Sequence, residues 1–456
     1  MSEPVSGRRI VVVGGARSGM AAAQLLASRG ADVTLADVRV DLPEAGRLGD
    51  QGIRVELGPH EARTFERADL IVLSPGVPLR QPALDRARRA RVPIIGEVEL
   101  ASRLLQGRII AITGTKGKST TTTLVGRMLE AAGLRVAVAG NIGAPLSAEV
   151  DRSTADTIHV VEVSSFQLET TSTFHPWISV LLNLSADHLD RHANLHEYAA
   201  AKARVFANQG EGDWAVINAD DPAAMTLAGK HARAPRRWFS LDKVLDEGMV
   251  LADGWLVERD GGEESRILPV EEVRLIGRHL LADVAAAATV ARLAGAPAPA
   301  IRSAAGGFTG LEHALEPVML VAGIRFVNDS KATNVESARR AIESFEGRLV
   351  PIIGGRFKGG DLRDLRPALA GRSTAVIAIG EARPVVRQAL GDMLAVVEAN
   401  SMAEAVRAGL AAAPPGGTVL LAPACASFDM FRDYAERGRV FKREVAKLAE
   451  ELGGGS

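Results

Sequence analysis

Residues 109–120 read IIAITGTKGKST, and no other stretch of the chain narrows its possible folds as far. A run of apolar, mostly β-branched residues passes into a glycine turn, and Lys118-Ser119 then opens a helical pattern. In that order, strand, loop and helix let backbone N–H groups curl around phosphate oxygens, while the helix N-terminus adds partial positive charge. Gly114, Thr115, Lys116 and Gly117 form the loop. Lys118 is placed to reach nucleotide β- and γ-phosphates, and the Ser119 hydroxyl to ligate Mg²⁺, with Thr120 beside it. The string is the shorter G-T-x-G-K-S/T form, because Ile112 stands where the longer motif has its first glycine.

Such a loop needs a parallel sheet behind it, and the chain supplies the strands. Continuous apolar runs predict strands at 10–13, 33–36, 70–73 and 93–95, then at 108–113, 136–139, 157–163, 178–184 and 215–218. A third series is expected at 325–327, 349–353, 375–379 and 418–421. Helical patterns lie between them, including one over 20–29 and an alanine-rich one over 279–294. This alternation indicates an α/β chain with sheets covered on both faces. From 237 to 273 the turn pairs Asp253-Gly254 and Gly261-Gly262 predict an antiparallel hairpin appended to the second sheet. A chain of 456 residues exceeds what one core serves. The expected domains are 1–107, 108–311 and 312–456.

The formal net charge is −1, so no long-range field favours nucleic acid or an acidic membrane surface. An anionic ligand has to be held by helix N-termini and single Lys or Arg side chains. Cys425 is the single cysteine, which excludes an intramolecular disulfide and a Cys-cluster zinc site. The apolar run from Ile10 is too short for a signal sequence, and no uninterrupted apolar stretch of about 18 residues exists. The expectation is a cytoplasmic protein with no membrane span.

Other segments carry chemistry less specifically. Val13-Gly14-Gly15-Ala16-Arg17-Ser18-Gly19 approximates a dinucleotide turn, with Ala16 at the middle glycine, and Asp37 ends the next strand. An NAD site, another nucleotide site and a plain strand-to-helix turn all fit it. Glu162 ends an apolar strand, where an ionised carboxylate needs a partner and Mg²⁺ is a natural one. His188 follows another such strand, and both belong near the phosphate loop if ligand groups gather beyond strand C-termini. Lys202 lies in a helical stretch where composition alone suggests a surface lysine.

With these residues in view the chain resembles the Mur ligase family along almost its whole length. The resemblance rests on Gly114–Thr120, Gly140-Asn141-Ile142-Gly143, Glu162-Val163-Ser164-Ser165-Phe166-Gln167-Leu168-Glu169 and Asp187-His188-Leu189-Asp190-Arg191. It continues through Asn328-Asp329-Ser330-Lys331-Ala332-Thr333-Asn334, Gly354-Gly355-Arg356-Phe357-Lys358-Gly359 and Pro423-Ala424-Cys425-Ala426-Ser427-Phe428-Asp429-Met430-Phe431. The pattern is nearest the branch that adds D-glutamate. It implies Rossmann-like first and third domains around a central P-loop ATPase domain with a mainly parallel sheet. The implied reaction activates the carboxylate of UDP-N-acetylmuramoyl-L-alanine with ATP as an acyl phosphate, which D-glutamate then attacks. A sister amide ligase with another amino acid is the neighbouring alternative.

The resemblance also implies roles. Arg17, Ser18, Asp37, Ser74 and Asn141 would hold the UDP-sugar. Residues 114–120 with Asp283, Asp329 and Lys331 would hold ATP. Ser119, Glu162, His188 and Lys202, the last as a CO₂-derived carbamate, would serve two Mg²⁺ sites. Lys118, Glu162, His188 and Lys202 would be catalytic. Thr333, Lys358, Ser427 and Tyr434 would line the D-glutamate site, and a monomer is expected. Three positions depart from the pattern. Ala314 stands where the family has Arg after the histidine, a charge-assisted contact of about 1.5–3 kcal/mol. Leu280 and Asp283 stand where it has a pair of asparagines, and Lys116 where Asn is frequent.

Overall fold

The three series of apolar runs form three sheets in a computed structural model that describes residues 5–185, 191–192 and 194–453. The first sheet is built from β1 (Arg9–Val13), β2 (Asp32–Asp37), β3 (Arg54–Leu57), β4 (Leu70–Leu73) and β5 (Ile94–Gly96). Its order is β3-β2-β1-β4-β5, and every pairing is parallel. The order reverses beside β1, the kind of switch point where open α/β sheets bind ligands.

The central sheet comprises β6 (Arg108–Thr113), β7 (Val136–Gly140), β8 (Ile158–Glu162), β9 (Ile178–Leu181), β10 (Trp214–Asn218), β11 (Arg236–Ser240), β12 (Gly248–Ala252), β13 (Trp255–Asp260) and β14 (Glu263–Pro269). They lie in the order β14-β13-β12-β11-β10-β9-β6-β8-β7. The antiparallel addition begins only at β12. Both β11 with β10 and β12 with β11 pair in parallel, so the parallel part runs further along the chain than the turn pairs suggest.

The third sheet holds β15 (Glu316–Val321), β16 (Ile324–Asn328), β17 (Leu349–Gly354), β18 (Ala375–Ile379), β19 (Ala395–Ala399) and β20 (Thr418–Leu421), ordered β15-β16-β20-β17-β18-β19. Only the β15–β16 pairing is antiparallel. Strands β3, β15 and β19 were not expected, and the strand expected to reach 184 stops at Leu181. The expected helices are found as Arg17–Ser28, Lys118–Ala131 and Arg278–Leu293.

By internal contacts the chain divides into two compact units, residues 1–272 with 282–305 and residues 273–281 with 306–456. The first holds both the first and the central sheet, around cores that include Ile10, Val12, Leu26 and Val72 in one and Ala111, Val161, Leu181 and Ile217 in the other. The second holds the third sheet between clusters around Val327, Ile353 and Leu420 and around Phe326, Ile377 and Phe441.

Candidate active site

The phosphate loop joins β6 to the helix Lys118–Ala131, and its shape follows from glycine. Gly117 has φ +84°, and a Cβ there would lie 2.1 Å from an Asp283 carboxylate oxygen. Asp283, from the alanine-rich helix, therefore packs directly against the loop backbone. The loop is also held from the end of β9. Asn183 Oδ1 accepts the N–H groups of Thr115 (3.1 Å) and Lys116 (2.9 Å), and its amide donates to the Lys116 carbonyl at 3.1 Å. Thr115 Oγ1 accepts from Ser185 N at 3.0 Å and from the Tyr198 hydroxyl at 3.2 Å. Neither Asn183 nor Tyr198 stands out in the sequence, because only the β6–β9 and helix packing brings them to the loop.

Lys118 Nζ donates to the carbonyls of Gly114 (3.1 Å) and Thr115 (2.9 Å). Lys202 is 1% exposed, so the surface reading suggested by composition fails. Its Nζ donates to the same Gly114 carbonyl at 2.8 Å, reaches Thr113 Oγ1 at 3.4 Å, and lies 4.7 Å from the centre of the Tyr198 ring.

Glu162 ends β8 opposite Ile112 of β6, which places it next to the loop. It is 1% exposed; Oε1 accepts from Asn141 Nδ2 at 2.7 Å, and Oε2 has no hydrogen-bond partner among the described residues. An orphaned carboxylate oxygen at the end of β8, paired with the strand that runs into the loop, fits a divalent cation. His188 lies outside the described residues. Among those described, no group of three or more His, Cys, Asp or Glu side chains forms a ready metal cage.

Arg17, Ser18, Asp37, Ser74 and Asn141 all line one cavity of about 530 Å³, shared between the first and central sheets of the first unit. Asp37 Oδ2 accepts from Gly15 N at 2.6 Å, while Arg39 forks onto both carboxylate oxygens. The Arg39 hydrogen bonds, against the opposing effect of burial, hold the Asp37 pKa down to about 2. Gly19 packs so closely that a Cβ would sit 1.8 Å from the Gly14 carbonyl, which accepts from Ser74 Oγ at 2.8 Å. The glycines of the turn thus serve tight strand–helix packing. Arg17, one lining residue, donates to the carbonyl of another, Gly143, at 2.7 Å. Arg191 secures one wall, donating to the carbonyls of Pro75 and Val77, both at 3.0 Å, while lying over the Phe166 ring.

In the second unit, Asp329 and Lys331 follow β16, Lys358 follows β17 and Ser427 follows β20. These three strands are adjacent, so their C-terminal ends gather the loops that carry these residues. Asp329 is buried, which raises its pKa to about 7 against the N–H of Leu315 and the charge of Lys331. Ser330 Oγ donates to the Tyr434 carbonyl at 2.8 Å, so Tyr434 is tied to the same loop. Thr333 is half-buried, Lys358 exposed and Ser427 buried. Arg437, 1% exposed, joins two of the loops: Nε donates to Ser330 Oγ and Nη1 to the Cys425 carbonyl. Leu280 packs in the core with Leu315, Val327 and Ala332. The apolar substitution there is absorbed as packing.

Sequence comparison bears on the same regions. Three family models match: a Mur ligase MurD-like N-terminal domain over residues 8–96, the Mur ligase middle domain over 112–291, and the Mur ligase glutamate ligase domain over 315–425. A protein of Acidobacterium capsulatum named UDP-N-acetylmuramoylalanine-D-glutamate ligase is 48% identical over 448 residues, with 96% of each chain covered. A protein of the same name from Geobacter metallireducens is 43% identical, covering 97% of this chain and 98% of its own. Among solved structures, the MurF ligase of Thermotoga maritima in complex with ADP superposes with TM-score 0.60 at 15% identity, covering 98% of this chain and 96% of its own. The UDP-N-acetylmuramate-alanine ligase MurC of the same organism gives 0.59 at 20% identity, covering 96% and 99%. These two likenesses concern the fold.

Proposed function

The chain belongs to the Mur ligase family, and from that membership we propose that it joins D-glutamate to the terminal carboxylate of UDP-N-acetylmuramoyl-L-alanine, using ATP. One contact carries the reading. Asn141 lines the cavity and donates to Glu162 beside the phosphate loop. A molecule lying in the cavity therefore presents its far end next to nucleotide phosphates. Curated relatives that carry this activity in their names match nearly the full chain, which supports the same substrate pair.

In this mechanism an oxygen of the substrate carboxylate attacks the γ-phosphorus of ATP, the bond to the ADP oxygen breaks, and an acyl phosphate results. The D-glutamate amine then attacks the acyl carbon; the carbon–oxygen bond to phosphate breaks, the amine releases a proton, and the products are an amide, ADP and phosphate. Loop N–H groups and Lys118 stabilise the charge shifting between phosphate oxygens, a stabilisation that counts most in a water-poor site. Ser119 and Glu162 would hold Mg²⁺, with His188, and the ion when bound supplies positive charge at the transferring phosphoryl. Asn141 orients the substrate's peptide end. Asp283, Asp329 and Lys331 serve the nucleotide, and Thr333, Lys358, Ser427 and Tyr434 serve D-glutamate, whose two carboxylates suit the cationic Lys358.

The carbamate on Lys202 forms part of the proposal. The partners of the Lys202 amine include the Gly114 carbonyl and the Tyr198 ring face, which suit a cation, so the neutral amine has to leave the Gly114 carbonyl before it takes up CO₂ and loses a proton. We also infer a cytoplasmic monomer with domains 1–107, 108–311 and 312–456. Among the described residues no helix is long and apolar enough to cross a membrane. Phosphate release with Mg-ATP and UDP-N-acetylmuramoyl-L-alanine tests the reading, with D-glutamate, L-glutamate, L-alanine or a diamino acid as acceptor. Release only with D-glutamate is expected; release with another amino acid moves the chain to a sister ligase.

A further inference from the structure

The cavity assigned to the UDP-sugar has two walls that belong to different sheets. Ser74, Pro75 and Val77 follow β4, whereas Asn141, Gly143 and Pro145 lie in the central sheet's loops and Gln167 in the short helix after β8. A long ligand held at both ends requires these walls to keep a fixed spacing. The short helix Glu97–Ser102 begins directly after β5, the neighbour of β4, and two of its carboxyl groups reach into the central domain.

Glu97 is 1% exposed, and its Oε1 accepts from both the N–H and the hydroxyl of Ser147, each at 2.6 Å. Ser147 lies two residues beyond Pro145 of the cavity wall. Glu99 is fully buried and is surrounded by donors from 172–174, the segment following the helix that carries Gln167. It accepts from the N–H groups of Ser172 (2.9 Å), Thr173 (2.9 Å) and Phe174 (3.0 Å), and from the hydroxyls of Ser172 and Thr173 at 3.0 and 2.6 Å. Arg103 Nε adds a contact at 2.8 Å. Successive N–H groups converging on one anion form a backbone nest, here filled by the protein's own carboxylate. Gly96 sits so close that a Cβ would meet Thr170 Oγ1 at 2.1 Å, leaving no slack between the segments.

We propose that Glu97 and Glu99 are positioning residues: two carboxyl groups on one turn, each gripping a different central-domain segment, set the spacing of the two cavity walls and so the fit of the whole UDP-sugar-peptide. The proposal rests on the assignment of the cavity to that ligand. UDP alone occupies the Rossmann-like wall and needs no registration, whereas the complete substrate needs both walls.

The test is calorimetric titration of the full-length protein with UDP and, separately, with UDP-N-acetylmuramoyl-L-alanine. Wild type, Glu99→Gln and Thr173→Val are compared, together with kcat at saturating substrate. Glu99→Gln leaves the nest without its charge. It is expected to weaken the complete substrate by about tenfold, equivalent to about 1.4 kcal/mol, while UDP affinity and kcat stay within about twofold. Thr173→Val removes one of the donors and is expected to give the same split at about threefold. If Glu99→Gln lacks a cooperative melt, Thr173→Val decides. Equal weakening of both ligands would reduce the contacts to general stability, and no weakening of either would overturn the positioning role. A wild type that binds neither ligand would overturn the cavity assignment, and the proposal with it.

Discussion

Three glutamates show how far environment, more than residue type, sets behaviour. Glu162 is a buried carboxylate with one oxygen engaged by Asn141 and the other without a partner among the described residues. Glu162→Gln preserves the size and the acceptor for Asn141 but removes the charge that the proposed Mg²⁺ site would use. The half-saturating Mg²⁺ concentration for phosphate release is expected to rise at least about tenfold. An unchanged Mg²⁺ dependence would remove Glu162 from the metal site. Glu97 and Glu99, two residues apart, shift in opposite directions. Burial raises Glu97, against the Ser147 donors. Burial acts the same way on Glu99, but Thr173, Ser172 and Arg103 overcome it and hold the group down to about 2. The raised pKa means that the contribution of Glu97 to stability is full below its ordinary value of 4.5 and is lost as pH rises through its folded value. Glu99 works the other way, its contribution being present above that value and lost as pH falls toward about 2. Glu97→Gln keeps an acceptor for Ser147 and removes the buried charge. Its melting temperature is expected above wild type at pH 8 and equal to it near pH 4.5, as thermal melts across that range would reveal. A lower melting temperature at pH 8 would show that the ionised form is the stabilising one.

At the scale of elements, the phosphate loop owes its shape to its neighbours as much as to its own glycines. Asn183 at the end of β9 engages Thr115 and Lys116 with both amide atoms. Asn183→Ala leaves those N–H groups without that acceptor and is expected to raise the KM for ATP about tenfold, with less effect on the UDP-sugar KM, in steady-state kinetics with each substrate varied. Equal changes in both would indicate general loosening. The sequence shows the loop but not this support, because the segment becomes relevant only once β9 pairs with β6. The strands follow a related logic. Central parallel strands such as β1, β4, β6 and β20 are buried on both faces, so their apolar runs are continuous and easily read. The three that escaped, β3, β15 and β19, all sit at sheet edges. There one side faces solvent, and residues such as Arg54, Glu316 and Glu398 interrupt the pattern. Likewise β11 looked antiparallel because the turn pairs that mark the hairpins follow it along the chain, although both its partners, β10 and β12, pair with it in parallel.

For the whole molecule, a formal net charge of −1 sets a limit on how anionic substrates are gathered. Acidic and basic groups are paired in many local bridges, such as Arg39 with Asp37, Arg237 with Asp260 and Lys442 with Glu312 and Glu316, so little charge of one sign is left to act at a distance. At physiological salt the Debye length is about 8 Å, and only charges near a bound phosphate or carboxylate remain effective. On the proposed site assignment, capture would then depend on the loop N–H groups, the helix starting at Lys118, and single side chains such as Arg17. This also explains why the candidate sites were legible as short motifs while composition carried almost no functional signal. The spacing of the cavity walls, by contrast, was not legible, since Glu97 and Glu99 look like ordinary helix-start acids until Ser147 and 172–174 close around them. A locally held substrate predicts weak salt dependence. Between about 20 and 200 mM KCl, kcat/KM for UDP-N-acetylmuramoyl-L-alanine is expected to change less than about threefold, whereas electrostatic steering would lower it by tenfold or more. A steep fall would mean that the folded chain concentrates positive potential at the cavity despite its balanced charge.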